Sequence, residues 1–554
     1  MTKQSKFTVA DAIVKELVRE GVEAVYGIVS IHNMPIYDAI YREGSIRVVT
    51  SRGESGAVNM ADAYARATGK IGVVITSTGS GAGNGAGSLV EAWNAGTPLL
   101  HLTGEADSHY IGANERYIHE AKNQLQMTDG ASKSAYLMKR PAKAAAFVRE
   151  AIIEAKTAPT GPVTLNIPTN YQAQIIADTD WVESVAGEAS LNLTTETIEQ
   201  IAQAKRPVVW AGNGVIHAGG TEALRQLVDY LQAAVITSEN AKGVYPEDHP
   251  LCIGNFAATE DVAGLLESSD LLISVGVHFR GPETFDWTLP TPKNHIHIDL
   301  DPHAINRSYI PQEVIVADAK LALETMNREL VSYKRTNDET FVEEVKQVKE
   351  KVRQDLRNQI GPYSDIAQLI NEKLSKDSVL VTDVTIPGYT WGNKLIDVTS
   401  PRNYQYMAGG GIGQGLPMAI GAKLGQPDKP VVLIAGDGGF MVNAGEMITA
   451  TQEEAPVIVL LFDDGGYGIL KYYQEAAYGR QTGVDLKNPD FVKLSESMGF
   501  QAERVESVDA FSAAFDRALD SGQSYMVVVD VQKIGILEYE DSPEYIASFR
   551  PKEQ

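Results

Sequence analysis

Short apolar runs recur along the chain, each closed by glycine or a polar residue: 48–50, 73–75, 207–211, 234–238, 271–275, 295–298, 431–435 and 457–462. Runs of this length, rich in valine and isoleucine and bounded by turn residues, read as strands buried on both faces. Between them lie helical stretches, such as the alanine-rich 57–69 and a stretch opening at Asn443. Strands alternating with helices predict parallel sheets covered by helices. The expected fold class is α/β, with three doubly wound parallel-sheet domains.

The pattern divides the chain in three. Residues 1–180 form one α/β unit, a polar stretch at 178–195 reads as a linker, and 196–335 form a second unit. A charged helical connection at 337–357 leads into a third unit, 358–554. A length of 554 residues agrees with about three domains of ordinary size. The first and third units look like a related pair, although no strong residue-level repeat joins them.

Composition narrows the function classes. A formal net charge of −24, without a cluster of Lys and Arg, speaks against nucleic acid as a partner. Acidic stretches such as 343–350, with interleaved lysines, read as a solvated helix face. A single cysteine, Cys252, excludes an intrachain disulfide. No apolar run approaches the ~18 residues that span a bilayer, so no membrane partner is expected. The first residues lack a signal peptide's apolar region, which makes the expected location cytoplasmic.

Candidate chemistry gathers at strand ends. Gly436-Asp437-Gly438-Gly439 closes the 431–435 run, and Asp464 follows 27 residues after Asp437 at the end of the 457–462 run. Glycines let backbone N–H groups approach a phosphate, and aspartates offer hard oxygens to Mg²⁺. Both carboxylates would reach the C-terminal edge of one parallel sheet, where open α/β sheets bind ligands. Taken alone, the glycines also suit a bare strand-to-helix turn. Upstream, Glu54 ends the 48–53 segment, and Gly409-Gly410-Gly411-Ile412-Gly413 forms another glycine cluster. The middle unit has glycines after its strands but no Gly-x-Gly-x-x-Gly.

Together these segments resemble the thiamine diphosphate (ThDP) enzymes. The likeness rests on the Gly-Asp-Gly signature, Glu54, the helix ending Tyr64–Lys70, the Gly79–Asn84 turn, Pro98–Leu100 and Thr103-Gly104. It implies three domains: pyrimidine-binding, central and diphosphate-binding. By that resemblance Asp437, Asp464 and the Gly466 carbonyl would hold Mg²⁺. Gly436, Gly438, Gly439, Thr385 and Asn84 would bind cofactor, and the Gly410 carbonyl would meet its 4′-amino group. Ile412 would sit under the two rings, and Glu54 would bond the aminopyrimidine and favour its imino tautomer. One departure stands out: the family's Asn-Asn pair is Asp463-Asp464 here. The middle unit resembles the central domain of acetolactate synthases and benzoylformate decarboxylases. That likeness allows FAD there without favouring it.

The pocket segments implied by the family are 30–33, 119–124 and 470–474. They bring His32, His119 and Gln124 forward as proton-handling candidates. The expected reaction is decarboxylation of a 2-oxo acid with C–C carboligation to a second carbonyl, such as an aldehyde, as in acetolactate synthases. Benzoylformate-type decarboxylation and 2-hydroxyacyl-CoA lyase activity are the alternatives, and a non-catalytic ThDP-binding protein is the alternative of a different class. The family also implies a homodimer or homotetramer with active sites between subunits.

Overall fold

The computed structural model describes residues 6–178, 191, 193–335, 337–537, 539 and 543–550. Most of the expected linker at 178–195 lies outside them. Three sheets of six strands form, and every strand pair in them is parallel. The first holds β1 (Ala24–Gly27), β2 (Arg47–Thr50), β3 (Gly72–Thr76), β4 (Leu99–Glu105), β5 (Ser134–Leu137) and β6 (Pro162–Pro168). The second holds β7 (Pro207–Ala211), β8 (Ala234–Thr237), β9 (Cys252–Gly254), β10 (Leu271–Val275), β11 (His295–Asp299) and β12 (Glu313–Val316). The third holds β13 (Val379–Thr382), β14 (Tyr404–Tyr406), β15 (Val431–Gly436), β16 (Ile458–Asp463), β17 (Gln501–Val505) and β18 (Tyr525–Asp530).

The expected α/β class holds, and the suspected kinship of first and third units appears in their topology. Their orders, β2-β1-β3-β4-β6-β5 and β14-β13-β15-β16-β18-β17, are the same arrangement. The middle sheet runs β12-β11-β10-β7-β8-β9, the order of dinucleotide-binding domains. At its switch point, between β7 and β10, Gly214 and Gly276 touch backbone to backbone: a Cβ on Gly214 would lie 2.7 Å from the Gly276 Cα. The charged connection forms the helix Glu339–Gln359, capped by Asp338.

The strand ends were legible to within a residue or two, but one element differs. Glu54 is the first residue of the helix Glu54–Thr68 rather than a residue ahead of it. Gly53, in extended conformation, supplies the N-cap.

That helix packs on Gly415–Gly425 of the third domain, and residues of both lie in one buried cluster with Ala57, Met60, Ala61, Met418, Ala419 and Ala422. Small side chains let the two backbones close up. A Cβ on Gly421 would lie 2.2 Å from the Met60 carbonyl oxygen, and one on Gly425 would lie 2.9 Å from Thr68 Cγ2. The packing joins the first and third domains into one interior. Among the described residues, no helix is long and apolar enough to cross a membrane.

Gly421→Val should therefore destabilise the protein by about 1–3 kcal/mol or more, because the obstacle is backbone that cannot swing aside. Gly87→Ala is the matched control: a Cβ there meets nothing within 4 Å, and a helix-interior alanine is neutral or favourable. Denaturant titration of both variants reads the difference.

Candidate active site

In the first sheet the chain leaves β1 toward β2, then returns to place β3 on the other side. The crevice beyond the ends of β1 and β3 is thus a switch point. The loop after β1 carries His32, and the turn after β3 carries Ser77. His32 is 2% exposed. Its Nδ1 lies 3.5 Å from Ser77 Oγ, while Nε2 is buried without a partner. The His119 ring stands edge-on 4.9 Å away, and its Nδ1 reaches Ser80 Oγ at 3.5 Å. Burial, and then the nearby His119, lower the His32 pKa, so this imidazole is neutral near pH 7.

Glu54 opens onto the same crevice. Its Oε2 accepts a hydrogen bond from Asn84 Nδ2 at 3.2 Å. A side chain on Gly81 would stand between Glu54 and Ser77: its Cβ would lie 3.0 Å from Glu54 Oε1 and 2.8 Å from Ser77 Cβ. Gly79, at φ +59°, is needed for another reason, since a Cβ there would lie 1.8 Å from the His119 carbonyl oxygen.

Gln124 also comes to this turn, but its side chain is spent. Oε1 accepts from Thr78 Oγ1 and the Gly79 N–H, at 2.9 and 2.5 Å. Nε2 donates to the Gly104 carbonyl and Asn166 Oδ1, at 2.7 and 2.9 Å. Four bonds exhaust an amide. These bonds make Gln124 a brace of the Gly79 turn.

Two residues that sequence reasoning missed tie this crevice to the third domain. The Glu446 carboxylate accepts the Arg52 and Gly53 N–H groups, each at 3.0 Å, at the start of the Glu54 helix. Burial raises its pKa. Ser55 Oγ donates to Asn443 Oδ1 at 3.2 Å, and Asn443 Nδ2 donates to the Gly413 carbonyl at 2.7 Å. A carboxylate at a helix N-terminus satisfies donors that have no partner within the helix.

The third domain repeats the layout between β13 and β15. Asp383, 1% exposed at the end of β13, accepts from the N–H groups of Val384, Gly413 and Gly415 at 2.7, 3.0 and 3.3 Å. Burial pushes its carboxyl up to about 6. Asp383 thereby fixes the loop carrying Gly410, at φ +72°, and Ile412. Ile412 is 41% exposed and lies beside Gly439, where an added Cβ would come 3.8 Å from its own. Thr385 sits against the same turn, its Oγ1 2.7 Å from where a Cβ on Gly436 would be.

Asp437 follows β15, and Asp464 follows β16. Burial, with the facing charge of Asp437, pushes Asp464 up to about 7; burial likewise raises Asp437. The Gly466 carbonyl oxygen lies over Gly438, 3.2 Å from an added Cβ, and the Gly466 N–H bonds Asp464 Oδ1 at 3.1 Å. A buried and a partly buried carboxylate pressed together beside a carbonyl are an arrangement a divalent cation relieves. The residues therefore fit such an ion. Among the described residues, no group of three or more His, Cys, Asp or Glu could hold a metal; here the candidate donors would be two carboxylates and a carbonyl.

Asp463 lies outside that set. Arg504 bonds its Oδ2 at 2.5 Å and Asp530 at 3.1 Å. Asn488 Nδ2 bridges Asp463 Oδ1 at 2.8 Å and Asp437 Oδ2 at 2.5 Å. The extra charge of the Asp-Asp pair is thus answered by Arg504, while Asn488 orients Asp437. In the remaining pocket segment, Leu470 is exposed, Lys471 Nζ donates to the Asp464 carbonyl at 3.3 Å, and Gln474 bonds the Thr482 backbone.

Comparisons with known proteins agree with this geometry. Residues 7–132, 194–326 and 388–531 match the N-terminal TPP binding domain, the central domain and the C-terminal TPP binding domain of the thiamine pyrophosphate enzymes. The chain is 31% identical to the "Probable acetolactate synthase large subunit" of Methanocaldococcus jannaschii, over 94% of this chain and 92% of that protein. It is 30% identical to the "Probable 2-ketoarginine decarboxylase AruI" of Pseudomonas aeruginosa, over 96% and 95%. Its fold matches a thiamine diphosphate-dependent 4-hydroxybenzoylformate decarboxylase of Rhodococcus jostii RHA1 at a TM-score of 0.80 and 22% identity, over 96% and 100%.

The Arg504–Asp463 pairing is testable by a double-mutant cycle. Arg504→Gln should lower stability by leaving Asp463 a third uncompensated carboxylate, and adding Asp463→Asn should recover most of the loss. The expected coupling is about 0.5–3 kcal/mol by denaturant titration. Additive effects would show that the pair is not coupled.

Proposed function

The chain belongs to the thiamine pyrophosphate enzymes, in an acetolactate synthase-like group with decarboxylase relatives, and from that membership we propose that it decarboxylates a 2-oxo acid and joins the remaining acyl unit to a second carbonyl. Bound ThDP supplies the electron sink that lets such an acid lose CO₂. Asp437, Asp464 and the Gly466 carbonyl would hold Mg²⁺ and, through it, the diphosphate beside Gly436, Gly438, Gly439 and Thr385. Ile412 and Gly410 would seat the rings. Glu54, oriented by the Asn84 hydrogen bond, would bond the aminopyrimidine and favour its imino tautomer.

One observation carries the assignment of roles: the buried, partnerless Nε2 of His32 in the crevice shared with Glu54. A neutral imidazole with a free nitrogen can give or take a proton at the substrate's carbonyl oxygen. His119 stands behind it, and Ser77 orients it. Decarboxylation and carboligation together are redox-neutral, so the reading requires no electron transfer from FAD.

The working unit in this proposal is a homodimer or homotetramer with sites formed between copies. Exposed apolar residues flank both crevices: Ile31, Met34 and Ile118 in the first domain, Met441 and Val442 in the third. Within one chain the Glu54 carboxylate bonds Asn84 of its own domain. A cytoplasmic setting is part of the proposal, as the one cysteine is buried and unpaired.

Glu54→Gln should retain ThDP and lose at least ~100-fold in turnover, measured with 2-oxo acids, aldehydes, ThDP and Mg²⁺ and with product analysis. Wild-type turnover in that variant would overturn the role. Mixing Glu54→Gln with Asp437→Ala protein under subunit exchange should restore up to roughly a quarter of wild-type activity, because random pairing gives mixed dimers with one intact site. Silence despite demonstrated exchange would place both halves in one chain.

A further inference from the structure

Where the three domains meet lies a cavity of about 160 Å³. Its walls include Arg66 and Thr160 of the first domain, His217 of the central domain, and Arg402, which precedes β14. A smaller cavity of about 30 Å³ shares Arg66, His217 and Arg402 and adds Asn213.

The charges around it are uneven. Arg66 is neutralised: it bonds Asp62 at 2.6 Å and Glu91 at 2.9 Å, and donates to the Tyr406 carbonyl at 2.8 Å. Lys156 pairs with Glu20. Arg402 has no such counterpart. Its Nη1 donates to the Arg66 carbonyl at 3.1 Å and its Nη2 to the Ile216 carbonyl at 3.3 Å, both neutral acceptors. Among the described residues no carboxylate forms an ion pair with it. In a chain with 72 acidic and 48 basic residues, a half-buried arginine left without an acid is unexpected on composition alone.

Local construction holds this guanidinium in place. Arg402 takes φ +67°, a left-handed conformation that side chains other than glycine rarely adopt. It lies across Gly69, where a Cβ would come 2.9 Å from the Arg402 Cζ. His217 adds a neutral wall. Asn213 Nδ2 donates to its Nε2 at 3.0 Å, which leaves Nδ1–H to donate to Thr160 Oγ1 at 3.3 Å. Thr160 in turn donates to the Gly96 carbonyl at 2.5 Å. Two of five guanidinium N–H donors are spent on carbonyls, and the other three make no hydrogen bond among the described residues.

We propose that this cavity is a binding site for a small oxyanion, a carboxylate or phosphate, with Arg402 as its cationic anchor at the junction of the three domains. A planar fork of N–H donors matches a carboxylate or phosphate edge. The volume suits a small ion, well below the ≈ 300 Å³ and upward of ordinary ligand pockets. Because the walls come from all three domains, the bound anion ties the domains together and stabilises the folded chain by mass action.

The test uses the holoenzyme, saturated with ThDP and Mg²⁺ so that the diphosphate site is filled. Its melting temperature is followed against inorganic phosphate and, separately, acetate, with chloride at matched ionic strength as reference. A saturable rise beyond chloride is expected, and which anion produces it identifies the ligand class. Arg402→Met should weaken binding at least ~tenfold, and Arg402→Lys, which keeps the charge but loses the fork, should fall between. Should either variant fail to fold, calorimetric titration of both anions into wild-type holoenzyme decides. Neither anion binding saturably, or equal shifts in wild type and Arg402→Met, overturns the proposal.

Discussion

Backbone contact between the helices Glu54–Thr68 and Gly415–Gly425 is the constraint on which the rest of the molecule depends. Glycine and alanine on the facing surfaces remove the side-chain layer that normally separates helices by 8–10 Å. Without that approach, Glu446 could not reach the N–H groups of Arg52 and Gly53, nor Asn443 link Ser55 to Gly413. The start of the Glu54 helix and the loop bearing Ile412 are therefore placed by one interface. A crevice in one domain inherits its rigidity from another.

Electrostatics around the second crevice follow a different logic. Five polar groups, Asp437, Asp463, Asp464, Asn488 and Arg504, share a small volume at the edge of the third sheet. Asp463 has a cationic partner, Arg504, which it shares with Asp530, and acts as framework. Asp437 and Asp464 oppose one another, and burial leaves them poor acids. Replacing asparagines by aspartates does not simply add charge toward a ligand, because the first of the two negative charges is turned sideways into an ion pair. The second remains facing Asp437.

Much of this was legible along the chain because it is local. Strands such as 207–211 and 271–275 show themselves as unbroken apolar runs, and the glycine turns at 79–84 and 436–439 follow directly after strands. The two histidines also came together as expected. What stayed hidden depends on partners distant in sequence. Glu446 lies 393 residues from Gly53 and Arg504 lies 41 from Asp463, and nothing in either residue's neighbourhood announces its partner. Asp383 carried a weak signal, as a carboxylate just after a strand, yet its three backbone donors come from its own turn and from a loop thirty residues on. For Gln124, too, sequence gives the side chain's chemistry without saying that its bonds are already used.

The identical strand order of the first and third sheets carries a consequence for how such a chain can change over time. Two copies of one architecture, placed back to back, give two crevices at corresponding positions, and here one holds imidazoles and a glutamate while the other holds paired aspartates and glycines. The two copies carry different side-chain chemistry. Substitutions at His32 or Ser77 leave the facing pair Asp437 and Asp464 untouched, and the reverse holds as well. One half can thus be altered while the groups of the other stay in place.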